Sequence, residues 1–361
     1  MNNDKSMNQP KVRKESKKKI KVDFERTPLK DRLKARFLSM FFLKKAVWWI
    51  VRYVLLIGIA YIVLFPFFSK ISASFMDKYD LIDASVKLIP KNFTIEIYRE
   101  LWIEQDYLEA FFNTFMLSLI TAVIQMFICS IIAYGFAKFK FKGRKLLFGL
   151  VILTMIIPHR TLGNAMVSIF KGFDIFGVFG ALSSAGVFGA SETFTSDGIN
   201  LLNSYWPFIL LSLTGLAFKN GLYIFLLRQF FMGVPDELEE SAYIDGSGVF
   251  RTFFTIILPI SIPMMITVFL FSFSWCWTDD FYTGGTMFFV DRNESPYLLV
   301  DFIDKNTPIS LQDKTFKAQS VYDSVIKNTS GLMVIAPLVV LYLFCQKFLV
   351  QGIERSGLTA D

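Results

Sequence analysis

The chain has 361 residues, of which 53% are hydrophobic, 19% are charged and 41 are phenylalanine. A soluble fold of that length has too little interior to hide so much apolar surface, so composition excludes an ordinary water-soluble enzyme and makes the bilayer the solvent for most of the chain. The formal charge of +7 does not mark a nucleic-acid-binding protein either: residues 1–46 hold 15 Lys and Arg against 5 Asp and Glu, which leaves the remainder slightly negative.

Residues 1–28 are polar and Lys-rich, and cannot bury enough surface to fold alone. No cleavable signal peptide is expected, because the first long apolar run begins too late. Over 29–49, Leu29, Leu33, Phe37, Phe41 and Phe42 recur at helical spacing among Lys30, Arg32, Lys34, Arg36, Lys44 and Lys45. This pattern predicts an amphipathic helix lying on an anionic lipid surface. Six uncharged or nearly uncharged stretches of membrane length follow, over 48–68, 110–137, 146–170, 201–231, 252–278 and 328–346. The third is interrupted by Pro158-His159-Arg160 and the fourth by Lys219-Asn220-Gly221.

Lys and Arg concentrate in the tail up to Lys45, in the link Lys138-Phe-Lys-Phe-Lys-Gly-Arg-Lys145, and at Lys347 and Arg355. With six spans these segments share one side, and the positive-inside rule makes that side cytoplasmic. Both termini are then cytoplasmic, and segments 70–109, 171–200 and 280–327 lie outside. The last of these is polar, with Asp291, Glu294, Asp301, Asp304, Asp313 and Asp323, and reads as either a docking surface or a loose insertion.

The loop between spans four and five has its own design. It runs Pro235-Asp-Glu-Leu-Glu-Glu-Ser-Ala-Tyr-Ile-Asp-Gly246 and on to Ile256-Ile-Leu-Pro259. Pro235 and the acids suit a first helical turn, Gly246 suits a left-handed helix end, and Ser247 suits the cap of a second short helix. Pro259 removes a backbone donor and is expected to bend span five. No phosphate-binding G-x-x-x-x-G-K-[ST] run is present. One histidine, and three cysteines (Cys129, Cys276, Cys345) inside apolar runs, form no metal or disulfide pattern. No catalytic residues and no cofactor are expected.

Glu240-Ser241-Ala242, Gly246, Ile256, Leu258 and Pro259 fall in register with the EAA loop of permease subunits of ATP-binding-cassette (ABC) importers, which this stretch resembles. Asn113-Thr114, Ala133-Tyr-Gly-Phe-Ala-Lys138, Phe225-Leu-Leu-Arg-Gln-Phe-Phe231, Trp277-Thr-Asp279 and Gln346-Lys-Phe-Leu-Val-Gln-Gly352 are similar to the carbohydrate (maltose-type) branch of those permeases. Ser241 departs from the usual alanine, and Lys219 from a usually apolar stretch. The resemblance implies an all-α integral membrane protein with six transmembrane helices, the type I ABC importer (MetI-like) permease fold. It would comprise a basic tail over 1–46, a transmembrane permease domain over 47–354 with its coupling loop at 232–259, and a short tail over 355–361. It implies three kinds of partner besides membrane lipid: a dimer of ATPase subunits, a second permease, and an extracytoplasmic solute-binding protein.

Expected ATPase-coupling residues are Glu237, Leu238, Glu240, Ser241, Ala242, Tyr243, Asp245, Gly246, Leu258 and Pro259. Small Ser241 and Ala242 would let the partner approach, Leu238 and Tyr243 would anchor it, and Glu237, Glu239 and Glu240 would meet basic groups on its rim. His159, Arg160, Lys219, Asn220, Trp277 and Asp279 are expected along the substrate path. A lysine in mid-span is costly and belongs in a wet cavity or beside a partner. The alternative reading is an ion-coupled carrier or channel that works without an ATPase, and it finds no acid inside the spans to couple an ion.

Overall fold

The computed structural model describes residues 40–355 apart from 185–193, 196–197, 218, 285–286, 292, 306 and 314. The amphipathic helix expected over 29–49 therefore lies mostly outside the described residues, as do residues 1–28 and the end of the chain from 356. Contacts divide the chain into two units, 1–66 and 67–361. In the first, helix α1 (Met40–Ala73) begins; it contains Pro66 and runs on into the second unit. Its stretch Lys44–Ala73 is apolar and long enough to cross a bilayer.

The second unit is built around α3 (Tyr107–Lys138). Before it comes α2 (Glu96–Glu104); after it come α4 (Arg144–Ile156), α5 (His159–Lys171) and α6 (Val178–Ser184). A two-residue antiparallel pair, β1 (Phe194–Thr195) with β2 (Gly198–Ile199), precedes α7 (Trp206–Leu213) and α8 (Asn220–Met232). Then follow α9 (Glu237–Ile244), α10 (Val249–Ile260), α11 (Ile262–Trp277), α12 (Leu299–Asp304) and α13 (Gln319–Arg355). Helix α3 packs against α7, α8 and α11, α13 packs on α11, and α4 packs on α8.

The buried face of α3 carries small and polar side chains, Ala110, Ser118, Thr121, Ala122, Ser130 and Ala133 among them. Such residues let helix backbones approach closely where lipid already satisfies every apolar surface. Gln125 ties three helices: its amide donates to Ser212 Oγ of α7 at 3.2 Å, and its oxygen accepts from Ser272 Oγ of α11 at 2.7 Å.

Among the described residues three helical stretches are continuous and apolar enough to span, in α1, α3 and α13, matching expected spans one, two and six. Expected span three is two helices, α4 and α5, meeting at 100°. Ile157 is extended (φ −67°, ψ 122°), as the residue before Pro158 must be when the proline ring crowds its helical conformation. Expected span five is also bent, by 78° between α10 and α11. The bend follows Pro259 and falls at Ser261, and a π-type turn over Phe253–Ile257 precedes it, with Leu258 N–H reaching back to Phe253 O. Expected span four is α7 and α8 separated by a turn over 214–219. Gly215 (φ +73°) and Lys219 (φ +67°) both take left-handed conformations there.

The segment over 280–327 is folded rather than loose. Leu299 and Phe302 of α12 are fully buried with Ile97 and Leu101 of α2, against Tyr107 and Trp277. Leu299 N–H donates to Thr114 Oγ1 at 2.9 Å, and Tyr297 Oη donates to Gln105 O at 3.0 Å. Lys78 and Asp313 form an ion pair of 2.6 Å that joins this segment to the one after α1. The hydrogen bond from Lys78 holds the Asp313 carboxyl well below the usual carboxylate range. These elements cap the Tyr107 end of α3, opposite the Lys138 end where α9 lies.

Candidate functional site

Helix α9 starts at Glu237 with Asp236 as its cap residue, so Pro235 stands before the helix instead of in its first turn. Its end is as the sequence predicts. Gly246 adopts φ +81°, Gly246 N–H donates to Tyr243 O at 3.0 Å, and Ser247 N–H donates to Ala242 O at 2.9 Å. That pair of bonds is the Schellman closure of a helix. Ser247 does not cap the next helix: Gly248 holds the cap position of α10, with no side-chain cap bond. The short helix therefore turns sharply into α10.

The exposed side of α9 and its neighbour carries Leu238, Tyr243, Ile244 and Phe250, of which Ile244 is 87% and Phe250 78% exposed. Glu237, Glu240, Ser241 and Asp245 are exposed on the same short helix, and Ser241 Oγ donates to Glu237 O at 2.7 Å. Pro259 is also exposed, and Leu258 is half-buried against the cluster around Phe231 and Ile257. Two expectations are corrected. Ala242 is buried within the chain, so its small size serves internal packing instead of a partner's approach. Glu239, expected on the rim, is buried too; it faces α3, where its Oε2 accepts from Tyr134 Oη at 3.1 Å and its Oε1 lies 3.4 Å from Lys138 Nζ. Sequence reasoning missed Lys138 and Tyr134 as partners. The available signal was helical spacing, because Glu239 and Ala242 stand three residues apart on one face. Lys138 also donates to Asp236 Oδ1 at 2.5 Å and so holds the exposed Asp236 carboxyl below its usual range.

A second region forms where spans three and four break. His159 and Lys219 line one cavity with Thr154, Gly215 and Gly221. Asp279 lines a neighbouring cavity with Gln125, Ser212, Ser272, Trp275 and Tyr282. His159 Nδ1 and Tyr282 Oη are 2.8 Å apart across the two. Lys219 Nζ stands 4.5 Å from the centre of the Trp275 ring, and Arg160 lies 5.9 Å from that of Phe281. Asn220 is buried, and its side-chain amide atoms make no hydrogen bond among the described residues. Asp279 accepts the backbone N–H groups of Tyr282 and Thr283, both at 3.1 Å. Trp277 does not belong here. It is buried against α13 and donates to Val334 O at 3.0 Å. Residues two positions apart on a helix differ by about 200° in direction, so Trp275 faces the cavity and Trp277 the opposite side.

With this geometry in view, the match to known proteins is direct. Residues 125–288 match the family model described as "Binding-protein-dependent transport system inner membrane component". The match spans both regions just described, from Gln125 to Phe288. Over 309 residues the chain is 28% identical to the galactooligosaccharides transport system permease protein GanQ of Bacillus subtilis (strain 168), covering 84% of this chain and 93% of that one. It is 26% identical to the arabinooligosaccharides transport system permease protein AraQ of the same organism, covering 81% and 90%. A solved structure described as a bacterial ABC transporter involved in the import of the acidic polysaccharide alginate contains a similar chain. That fold aligns with a TM-score of 0.60 at 19% identity, over 84% of this chain and 97% of that one. The chain is thus a helical, multi-pass membrane protein, similar over most of its length to permeases of sugar transport systems. Those relatives are named as components of transport systems.

Proposed function

We propose that this chain forms half of the alternating-access path for an oligosaccharide and that α9 docks in a cleft on a separate ATPase subunit. One observation supports the coupling role above others: a short helix, stiffly closed at Gly246, presents large apolar side chains and three acids at the Lys138 end of the bundle. That is the form of a helix-in-groove ligand. Leu238, Tyr243, Ile244 and Phe250 are the anchors, while Glu237, Glu240 and Asp245 meet basic groups around them. The basic residues after α3 support a cytoplasmic position for this end. The cap built by α2 and α12 then faces outward, where a solute-binding protein docks. A second permease completes the pore.

The solute class rests on the relatives, whose names specify galacto- and arabino-oligosaccharides. The cavities at the breaks in spans three and four support a reading in which His159, Arg160, Lys219, Asn220 and Asp279 lie beside the path, with Trp275 taking the role expected of Trp277. The test is isolation from the host membrane followed by reconstitution. An ATPase chain and a second permease co-elute, and vesicles take up labelled galactotriose or arabinotriose only when ATP is supplied to the ATPase side. Uptake by vesicles holding this chain alone, without nucleotide, would overturn the reading in favour of a self-sufficient carrier.

A further inference from the structure

Of the three acids in the first turn of α9, Glu239 alone turns inward, and what it meets belongs to α3. Glu239 is 6% exposed and the Lys138 side chain 7%. Lys138 Nζ donates to Val234 O at 2.6 Å and to Asp236 Oδ1 at 2.5 Å, and it lies 3.4 Å from Glu239 Oε1. Tyr134, one helical turn before Lys138, donates to Glu239 Oε2 at 3.1 Å. Its ring packs on Phe231 of α8 and on Phe253 in the π-type turn of α10. One cluster therefore holds the last turn of α3, the link over 233–236, the first turn of α9 and the start of α10.

Exposed ion pairs come and go at little cost, but a buried lysine and glutamate withdrawn from water are held to one geometry, and loss of Lys138 leaves the buried Glu239 without a compensating charge. The chain joins α9 only to α8 and α10. The cluster adds a third attachment, to the helix that packs against α7, α8 and α11. Resting on the coupling role proposed above, we propose that Lys138, Tyr134 and Glu239 are positioning residues that lock α9 to the end of α3. A displacement of α9 by the ATPase is then delivered directly to the central helix, besides the two helices that flank α9 in the chain.

The chain supplies its own reporter for movement of α3. Cys276 of α11 lies 3.3 Å from Thr121 Oγ1 of α3 and lines the cavity beside Gln125. With Cys129 and Cys345 replaced by alanine, the assembled complex in lipid nanodiscs is labelled with N-ethylmaleimide, without nucleotide and after trapping with ATP and vanadate. The unmodified cluster is expected to give a labelling rate that changes several-fold between the two states, since the buried pair acts as one unit. Lys138→Met removes the change while the ATPase stays bound and still hydrolyses ATP, and Lys138→Arg keeps it. Glu239→Gln preserves shape and gives a partial loss; it carries the test if Lys138→Met fails to accumulate. A full nucleotide-dependent change in either Lys138→Met or Glu239→Gln overturns the proposal and leaves the coupling role intact. Absence of a bound ATPase from the unmodified complex overturns the coupling role, and this inference with it. A bound ATPase with no change at Cys276 overturns this inference alone.

Discussion

Gly246 offers the cleanest test of whether α9 works by its shape. Its φ of +81° is a conformation that side-chain-bearing residues avoid, and a Cβ built there meets no atom within 4 Å. Substitution by alanine therefore adds no clash within the chain. Its cost is the backbone strain of a left-handed residue, about 1–2 kcal/mol. The strain is relieved by opening the two closing bonds, Gly246 N–H to Tyr243 O and Ser247 N–H to Ala242 O. An opened end lets Tyr243 and Ile244 move away from the position that a cleft requires. If only the closed form docks, Gly246→Ala weakens the dissociation constant for the purified ATPase subunit by roughly 5–30-fold, the factor that 1–2 kcal/mol sets. Gly246→Asn costs less, because asparagine visits the left-handed region more readily, and should bind nearly as the unmodified chain does. The assay is titration of ATPase onto the permease pair in nanodiscs. Unchanged binding by Gly246→Ala would refute the conformational argument. Equal and complete loss in both variants would mean that the partner's surface fills the space at Gly246, so that contact and not conformation requires the glycine.

Other outcomes follow from the same packing. At Gly221 a Cβ would lie 2.6 Å from Thr154 Oγ1 and 3.0 Å from Val151 O of α4, so Gly221→Ala forces α8 and α4 apart. Overpacking of this kind costs ~1–3 kcal/mol, read as a lower Tm in detergent, and adding Thr154→Ala recovers part of it. Gly352→Ala should behave likewise, since its Cβ would overlap Thr267 Oγ1 and stand 2.9 Å from Pro263 O. Glu240→Lys changes an exposed side chain with no partner among the described residues; Tm holds while ATPase binding weakens, and a matching fall in Tm would count against a docking role. Trp277→Phe removes the hydrogen bond to the Val334 carbonyl and costs ~1 kcal/mol of stability, read as a lower Tm, without changing solute preference, whereas Trp275→Ala changes transport with little effect on Tm.

How much of this could be read from the sequence depends on the solvent each segment meets. In α9, water on one side and protein on the other impose a facing, and the glycine end and the acidic start were both legible. The inward direction of Glu239 was legible in principle from its spacing to Ala242; its partner was not, because Lys138 stands 101 residues earlier and no local rule joins them. The cap on the Tyr107 end was masked by its acids: Leu299 and Phe302, three residues apart, anchor a segment whose average composition is polar.

In α3 the difficulty is of another kind. Nearly every face is apolar, so hydrophobic periodicity cannot say which side meets protein. Side-chain size carries that information instead. Phe112, Met116, Ile120, Phe127 and Ile131 are exposed, while Ala110, Ser118, Thr121, Ala122, Ser130 and Ala133 are buried. In water this arrangement would be inside out; in lipid the large residues lose nothing by facing the acyl chains, and the small ones gain the close helix contacts that leave room for Gln125 to reach Ser212 and Ser272. The same logic places the glycines at 221 and 352, each at a helix crossing where a single methyl group would collide. For a chain dissolved in a bilayer, the small and weakly polar residues therefore trace the protein interfaces, and the long apolar ones trace the lipid.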